Sequence, residues 1–316
     1  MPRRPHRTAA HRGLALAAIA LAASTLAGCG SAEAADEAAP DDGRPVVLTT
    51  FTVLADMARN VAGDHLRVES ITKPGAEIHG YEPTPSDVRR AADAELILDN
   101  GLGLEAWFEQ FVADLDVPRA VVSDGVEPIP IADDTHAELP NPHAWMSPQS
   151  AQLYVGNMVT AFSELDPQHA ADYAANGEAY RAELQLVHDE LVAQLAELPE
   201  QQRALVTCEG AFSYLARDTG LSEQYIWAVN AEQQATPRQI AGTIDFVREN
   251  EVPAVFCEST VSDKPMRQVV ESTEAAFGGV LYVDSLSEAD GPVPSYLELI
   301  RHDARLIAEG LTGSTE

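Results

Sequence analysis

Asp166–Leu198 reads DPQHAADYAANGEAYRAELQLVHDELVAQLAEL. Its Ala, Leu, Tyr and Val recur at helical spacing, and its one proline stands second, where a helix tolerates the missing N–H. Gly177 is the single weak point. About 30 helical residues at about 1.5 Å each span roughly 45 Å, longer than most globular helices. A helix of that length in mid-chain reads as a strut. A flexible hinge would use several strands or a Gly/Ser linker, so closure of whatever the helix joins should be limited.

Outward from this helix, both flanks alternate short β-rich runs with amphipathic stretches, the signature of βαβ units and a mainly parallel sheet. The first flank gives strands at 45–51, 65–72, 94–99 and 119–123, and the second at 203–208, 224–230, 253–257 and 279–284. The fold class is therefore α/β, with two parallel-sheet lobes (45–165 and 199–316) joined by one long rigid helix (166–198). A local echo supports two similar halves. Thr84-Pro85-Ser86-Asp87 and Thr236-Pro237-Arg238-Gln239 each offer Thr as N-cap, Pro at the first helical position and an acceptor at the third, a capping box.

The N-terminus is of another kind. Arg3, Arg4, Arg7 and Arg12 precede an acid-free apolar run, Gly13–Gly28, that ends in small residues before Cys29. The run is too short and Ala-rich for a spanning helix, and the pattern resembles a bacterial lipoprotein signal, in which the cysteine becomes the lipidated first residue. An ordinary secretory signal that contains a cysteine is the alternative. Residues 29–44 are mostly Ala, Asp, Glu and Gly without apolar periodicity and read as a flexible tether. The whole chain carries 20 Lys+Arg against 50 Asp+Glu, a net charge of −30. Loss of residues 1–28 removes four arginines and no acid, leaving −34. Nucleic acid and anionic membrane surfaces are excluded as partners by such charge.

In open α/β sheets the loops after the carboxyl ends of strands form the binding crevice. Four metal-capable residues fall there: His79 and His143 in the first half, Glu209 and Asp284 in the second. A cation in the cleft between the lobes would be held by both. Each residue alone has a plainer reading. A histidine in a Pro/Gly-rich loop is usually a surface residue, Glu209 suits a helix N-terminus, and Asp284 suits a strand-end turn.

The strings GAEIHGYEPTPSD, NPHAWMSP, CEGAFSYLARDTGL, NAEQQATPRQI, VPAVFCES and YVDSL, spread in order over about Pro45–Leu311, resemble the cluster A-I metal-binding lipoproteins of ABC importers for manganese, zinc or iron. The resemblance implies two α/β lobes joined by one long helix, metal between them, and His79, His143, Glu209 and Asp284 as ligands. Zinc-specific members generally carry His at the third position and a His-rich loop before the second ligand. Here Glu209 stands third, and 131–142 holds only His136. Two imidazoles and two carboxylates offer up to six fairly hard donors, which suits Mn²⁺, then Fe²⁺. Zn²⁺ is the further alternative, because it outbinds Mn²⁺ at nearly any N/O site.

With Cys29 lipidated, Cys208 and Cys257 remain. Both end expected strands of one lobe and both precede a glutamate, so parallel neighbouring strands would bring them within reach of a bridge. Two buried free thiols are the alternative. Thiolate ligation is disfavoured, since Cys208 and Glu209 alternate to opposite faces of a strand. The reading is an extracytoplasmic, lipid-anchored, monomeric solute-binding protein that delivers Mn²⁺ to an ABC permease and transforms nothing. Its rivals are a secreted metallohydrolase, with Glu258 as general base, and an adhesin lipoprotein. Trp107, Phe108 and Phe111 fit one face of a core helix, and His65, His169, His188 and His302 read as solvated.

Overall fold

A computed structural model describes residues 43–112, 115–131, 139–228 and 235–313. Cys29, His136 and the first five residues of the NAEQQATPRQI stretch lie outside them.

The first half builds β1 (Val46–Thr49), α1 (Thr52–Ala62), β2 (Arg67–Ser70), α2 (Pro85–Asp93), β3 (Leu96–Asp99), α3 (Ala106–Val112) and β4 (Arg119–Val121). The four strands form one parallel sheet in the order β2-β1-β3-β4, with Val47 opposite both Val68 and Leu96 and Leu98 opposite Ala120. β3 is buried at every position, as an apolar run covered on both faces must be. Two antiparallel helices follow, α4 (Pro148–Leu165) and α5 (Ala170–Leu195), joined by a 3-10 turn at Pro167–His169.

α5 is the long helix. It runs 26 residues, about 39 Å. The expected helix began at Asp166, but that side chain instead accepts hydrogen bonds from His169 Nδ1 and Tyr173, and the chain turns before the helix starts. Tyr173, Gly177, Tyr180, Leu184, Val187, Leu191 and Leu195 make its buried stripe. Gly177 is no defect in that stripe: a Cβ there would lie 2.5 Å from Val159 Cγ2, so glycine is what lets α5 approach α4. One continuous apolar core runs from the first sheet through α1, α4 and α5 into the strands of the second half.

The second half comprises β5 (Ala204–Glu209), α6 (Ser213–Thr219), β6 (Ser222–Trp227), α7 (Pro237–Glu249), β7 (Ala254–Glu258), α8 (Lys264–Ser272), β8 (Ala276–Leu281) and α9 (Tyr296–Thr312). β5 pairs with β6 and β7 with β8, both in parallel. No ladder joins β5 to β7 among the described residues; a disulfide between Cys208 and Cys257, with Cα atoms 4.9 Å apart, links them instead.

Both capping boxes form, at Thr84/Asp87 and Thr236/Gln239. Three expectations need correction. β6 and β8 start and end two to three residues earlier than read, because the apolar residues that follow them continue into buried loops rather than ladders. Phe111 is 39% exposed; the buried edge of the short α3 is Phe108 and Val112, one turn apart, with Phe111 at its margin. Finally, His65 and His169 are not simply solvated. Their rings stack 3.9 Å apart, and they pair with Asp172 and Asp166.

Candidate metal centre

Glu209 is the last residue of β5, and Asp284 lies in the loop three residues past β8. His79 sits on the loop between β2 and α2, where Glu77 of the same loop accepts from the His79 and Gly80 amides at 2.8 and 2.9 Å. His143 immediately precedes a 3-10 turn, Ala144–Met146, that leads into α4. The turn is fixed by Trp145, whose Nε1 donates to the Val283 carbonyl next to Asp284 at 3.1 Å, while the Tyr296 hydroxyl donates to the Trp145 carbonyl.

These four side chains, far apart in sequence, face one small buried space. His79 Nε2 lies 2.9 Å from His143 Nε2, 3.6 Å from Glu209 Oε1 and 3.9 Å from Asp284 Oδ1. His143 Nε2 lies 4.0 Å from Glu209 Oε1 and 3.7 Å from Asp284 Oδ1. An ion about 2.1 Å from each donor would set neighbouring donors about 3.0 Å apart at right angles and about 3.4 Å apart at tetrahedral angles. The spacings of the two imidazoles from each other and from each carboxylate fit such an ion after a small inward movement of the carboxylates, with His79, His143 and Asp284 forming the tightest group.

The electrostatics point the same way. His143 is fully buried, and burial together with the neighbouring His79 holds its pKa well below the usual value, so the ring is neutral and able to ligate. Burial pushes Asp284 up to about 6, and its Oδ1 has no hydrogen-bond partner. Behind Glu209 stands Glu258, pushed up to about 8 by burial, with Oε2 accepting from the Glu209 amide at 3.2 Å. Two buried carboxylates, the neutral His143 ring and His79 beside it form a donor set that a divalent cation would complete.

The profile of the ZnuA family, zinc-uptake complex component A, periplasmic, matches residues 47–310. The chain belongs to the ZnuA family. Relatives include the iron-binding protein YfeA of Yersinia pestis, 52% identical over 84% of this chain and 85% of its own. The manganese-binding lipoprotein MntA of Halalkalibacterium halodurans is 33% identical over 88% of this chain and 93% of its own. Among solved structures, a manganese-bound periplasmic metal-binding protein from Candidatus Liberibacter asiaticus superposes with a TM-score of 0.80 at 36% identity, over 85% of this chain and all of that one. The matched family is a metal-uptake component, and relatives such as the manganese ABC transporter substrate-binding lipoprotein PsaA of Streptococcus pneumoniae, 32% identical over 84% of this chain and 88% of its own, are substrate-binding proteins and not enzymes, which removes the metallohydrolase reading of Glu258. The two-lobe α/β fold with a long connecting helix is common to the chain and its structural neighbours.

Asn141 was missed in the sequence. It is buried between the two halves, its Oδ1 meeting both the backbone N–H and Nδ1 of His143. The Asn-Pro-His spelling of the motif was its only visible signal. Cysteine takes no part as a ligand, because Cys208 and Cys257 are joined in a disulfide.

Proposed function

We propose that this protein captures one divalent transition metal outside the cytoplasm, Mn²⁺ foremost, between His79, His143, Glu209 and Asp284, and hands it to the permease of an ABC importer. The observation that carries the reading is the meeting of two imidazole nitrogens and two carboxylate oxygens, from four separate segments, in one space from which water is nearly excluded. Two carboxylates that bind through one or two oxygens raise the donor count to six, favouring Mn²⁺ by geometry over an ion that prefers four ligands. A specific observation supports Fe²⁺ as a second reading: the relative at 52% identity is named an iron-binding protein. Zn²⁺ should bind tightly as well, in a distorted form, by the ordinary affinity order.

Lipidation at Cys29 would keep the protein at the membrane by its tether, in a monomeric form. Among the described residues no helix is long and apolar enough to cross a membrane. A long helix that shares its core with both halves suits small adjustments on binding better than wide closure.

A thermal-shift titration of metal-stripped protein with Mn²⁺, Fe²⁺ under reducing anaerobic conditions and Zn²⁺ tests this reading. An ion at 1,000 times its dissociation constant stabilises the fold by about 4 kcal/mol. Stabilisation by Zn²⁺ alone would remove both the manganese and the iron assignments.

A further inference from the structure

We infer that Asn141 is a positioning residue that sets the metal-accepting tautomer of His143 and ties that ring to the strand bearing Glu209, an inference that rests on the proposed capture role. Asn141 is 3% exposed, and the polarity of its neighbours is dictated by their own chemistry. The backbone N–H of His143 can only donate, and it reaches Asn141 Oδ1 at 3.0 Å. The Gly210 carbonyl can only accept, and it receives Asn141 Nδ2 at 2.6 Å. Together they admit one orientation of the amide, with oxygen towards His143 and nitrogen towards Gly210.

The remaining contacts agree with that orientation. Ser213 Oγ donates its own proton to Glu223 at 2.5 Å, so it offers a lone pair to Asn141 Nδ2 at 3.2 Å. With the amide fixed, the 2.8 Å contact between His143 Nδ1 and Asn141 Oδ1 is a hydrogen bond only when Nδ1 carries the proton. The neutral ring then has its lone pair on Nε2, the atom that faces His79, Glu209 and Asp284.

The second part of the role is mechanical. Gly210 follows Glu209 directly, and its amide donates to the Trp227 and Ala228 carbonyls at 3.0 and 2.8 Å. A Cβ on Gly210 would stand 2.5 Å from the Ala228 oxygen, so this backbone is held tightly against β6. Through Nδ2, Asn141 fastens a ligand from the first half of the sequence to that backbone, and the Tyr214 hydroxyl reinforces the tie by donating to the Asn141 carbonyl at 2.7 Å. His143 is therefore referenced to the same framework as Glu209.

The test uses the full chain without its leader, labelled with ¹⁵N in histidine. Long-range proton–nitrogen spectra of the metal-free protein report the tautomer of each ring, with His143→Ala assigning the signal. The expected result is Nδ1–H for His143 in the wild type and a shift towards a mixed population in Asn141→Ala. The same variant should bind Mn²⁺ and Zn²⁺ about 10–100-fold more weakly, the usual consequence of losing such a partner. Wild-type binding matched by Asn141→Ala, with the tautomer unchanged, overturns the role of Asn141. No uptake of either ion by the wild type overturns the capture role instead. Where Asn141→Ala does not fold, the wild-type spectrum decides alone: Nε2–H on His143 overturns the inference.

Discussion

Loss of the Cys208–Cys257 bridge should be among the most costly changes in the buried core of the second half. The two cysteines stand on strands that lie side by side without a ladder among the described residues, and the bridge closes a sequence separation of 49 residues. Freeing a loop of that size in the unfolded chain corresponds to about 4 kcal/mol at 25 °C. Both sulfurs are fully buried, and replacing each cysteine by alanine adds on the order of 1 kcal/mol for lost packing. Cys208→Ala/Cys257→Ala should therefore lose about 4–6 kcal/mol, a large part of the roughly 5–15 kcal/mol by which native proteins exceed their unfolded states. Equilibrium urea unfolding of the metal-free protein, followed by far-ultraviolet circular dichroism, measures this for oxidised wild type, reduced wild type and the double variant. The midpoint should fall in the latter two, and the denaturant slope should rise because the unbridged unfolded chain exposes more surface. A double variant within about 1 kcal/mol of oxidised wild type would refute the loop argument.

Other expectations follow from single residues. Gly177→Ala gains about 1 kcal/mol of helix propensity but sets a Cβ 2.5 Å from Val159, a clash of about 1–3 kcal/mol, so thermal unfolding should show a net loss. Glu105 is buried and pushed from 4.5 up to about 7, chiefly by burial, with the Asp99 charge adding and the Asn100, Thr50 and Gly101 donors opposing. A carboxyl that holds its proton more tightly when folded contributes stability that is full below about pH 4.5 and is lost as pH rises through about 7. The difference amounts to about 3 kcal/mol at most, and Glu105→Gln should flatten the stability-versus-pH slope between pH 5 and 8. An unchanged slope in that variant would reassign the pH dependence elsewhere. Glu209→His replaces a carboxylate with a third imidazole, and competitive binding should shift preference from Mn²⁺ towards Zn²⁺; equal ratios before and after would show that the third ligand does not set selectivity.

The parts of this protein legible in its sequence were those governed by short-range rules. The periodicity of Ala170–Leu195, the two Thr-Pro capping boxes and the fully buried runs of β3, β5 and β7 follow from local spacing and composition. His79, His143, Glu209 and Asp284 could be singled out because each falls at or beyond a strand end in its own half, yet the approach of both carboxylates to within 4.0 Å of both imidazoles is a property of the tertiary arrangement. Asn141 was not legible, since its partner Gly210 lies 69 residues away and no local pattern marks that bond. The stacked His65 and His169 were missed for the same reason, being brought together by the return of the chain at the 3-10 turn before α5. At Phe111 the error was one of angle: on a helix of seven residues, the i, i+4 row through Phe108 and Val112 takes the buried edge and leaves its neighbour outside.

The central claim is that these four side chains hold one divalent ion, and X-ray absorption at the manganese edge of protein loaded with Mn²⁺, with the metal content per chain determined alongside, tests it most directly. One ion per chain, with two imidazoles and otherwise oxygen ligands, reduced to one imidazole in His143→Ala, is the expected result. Substoichiometric metal without imidazole scattering, or the same spectrum in His143→Ala, would contradict it.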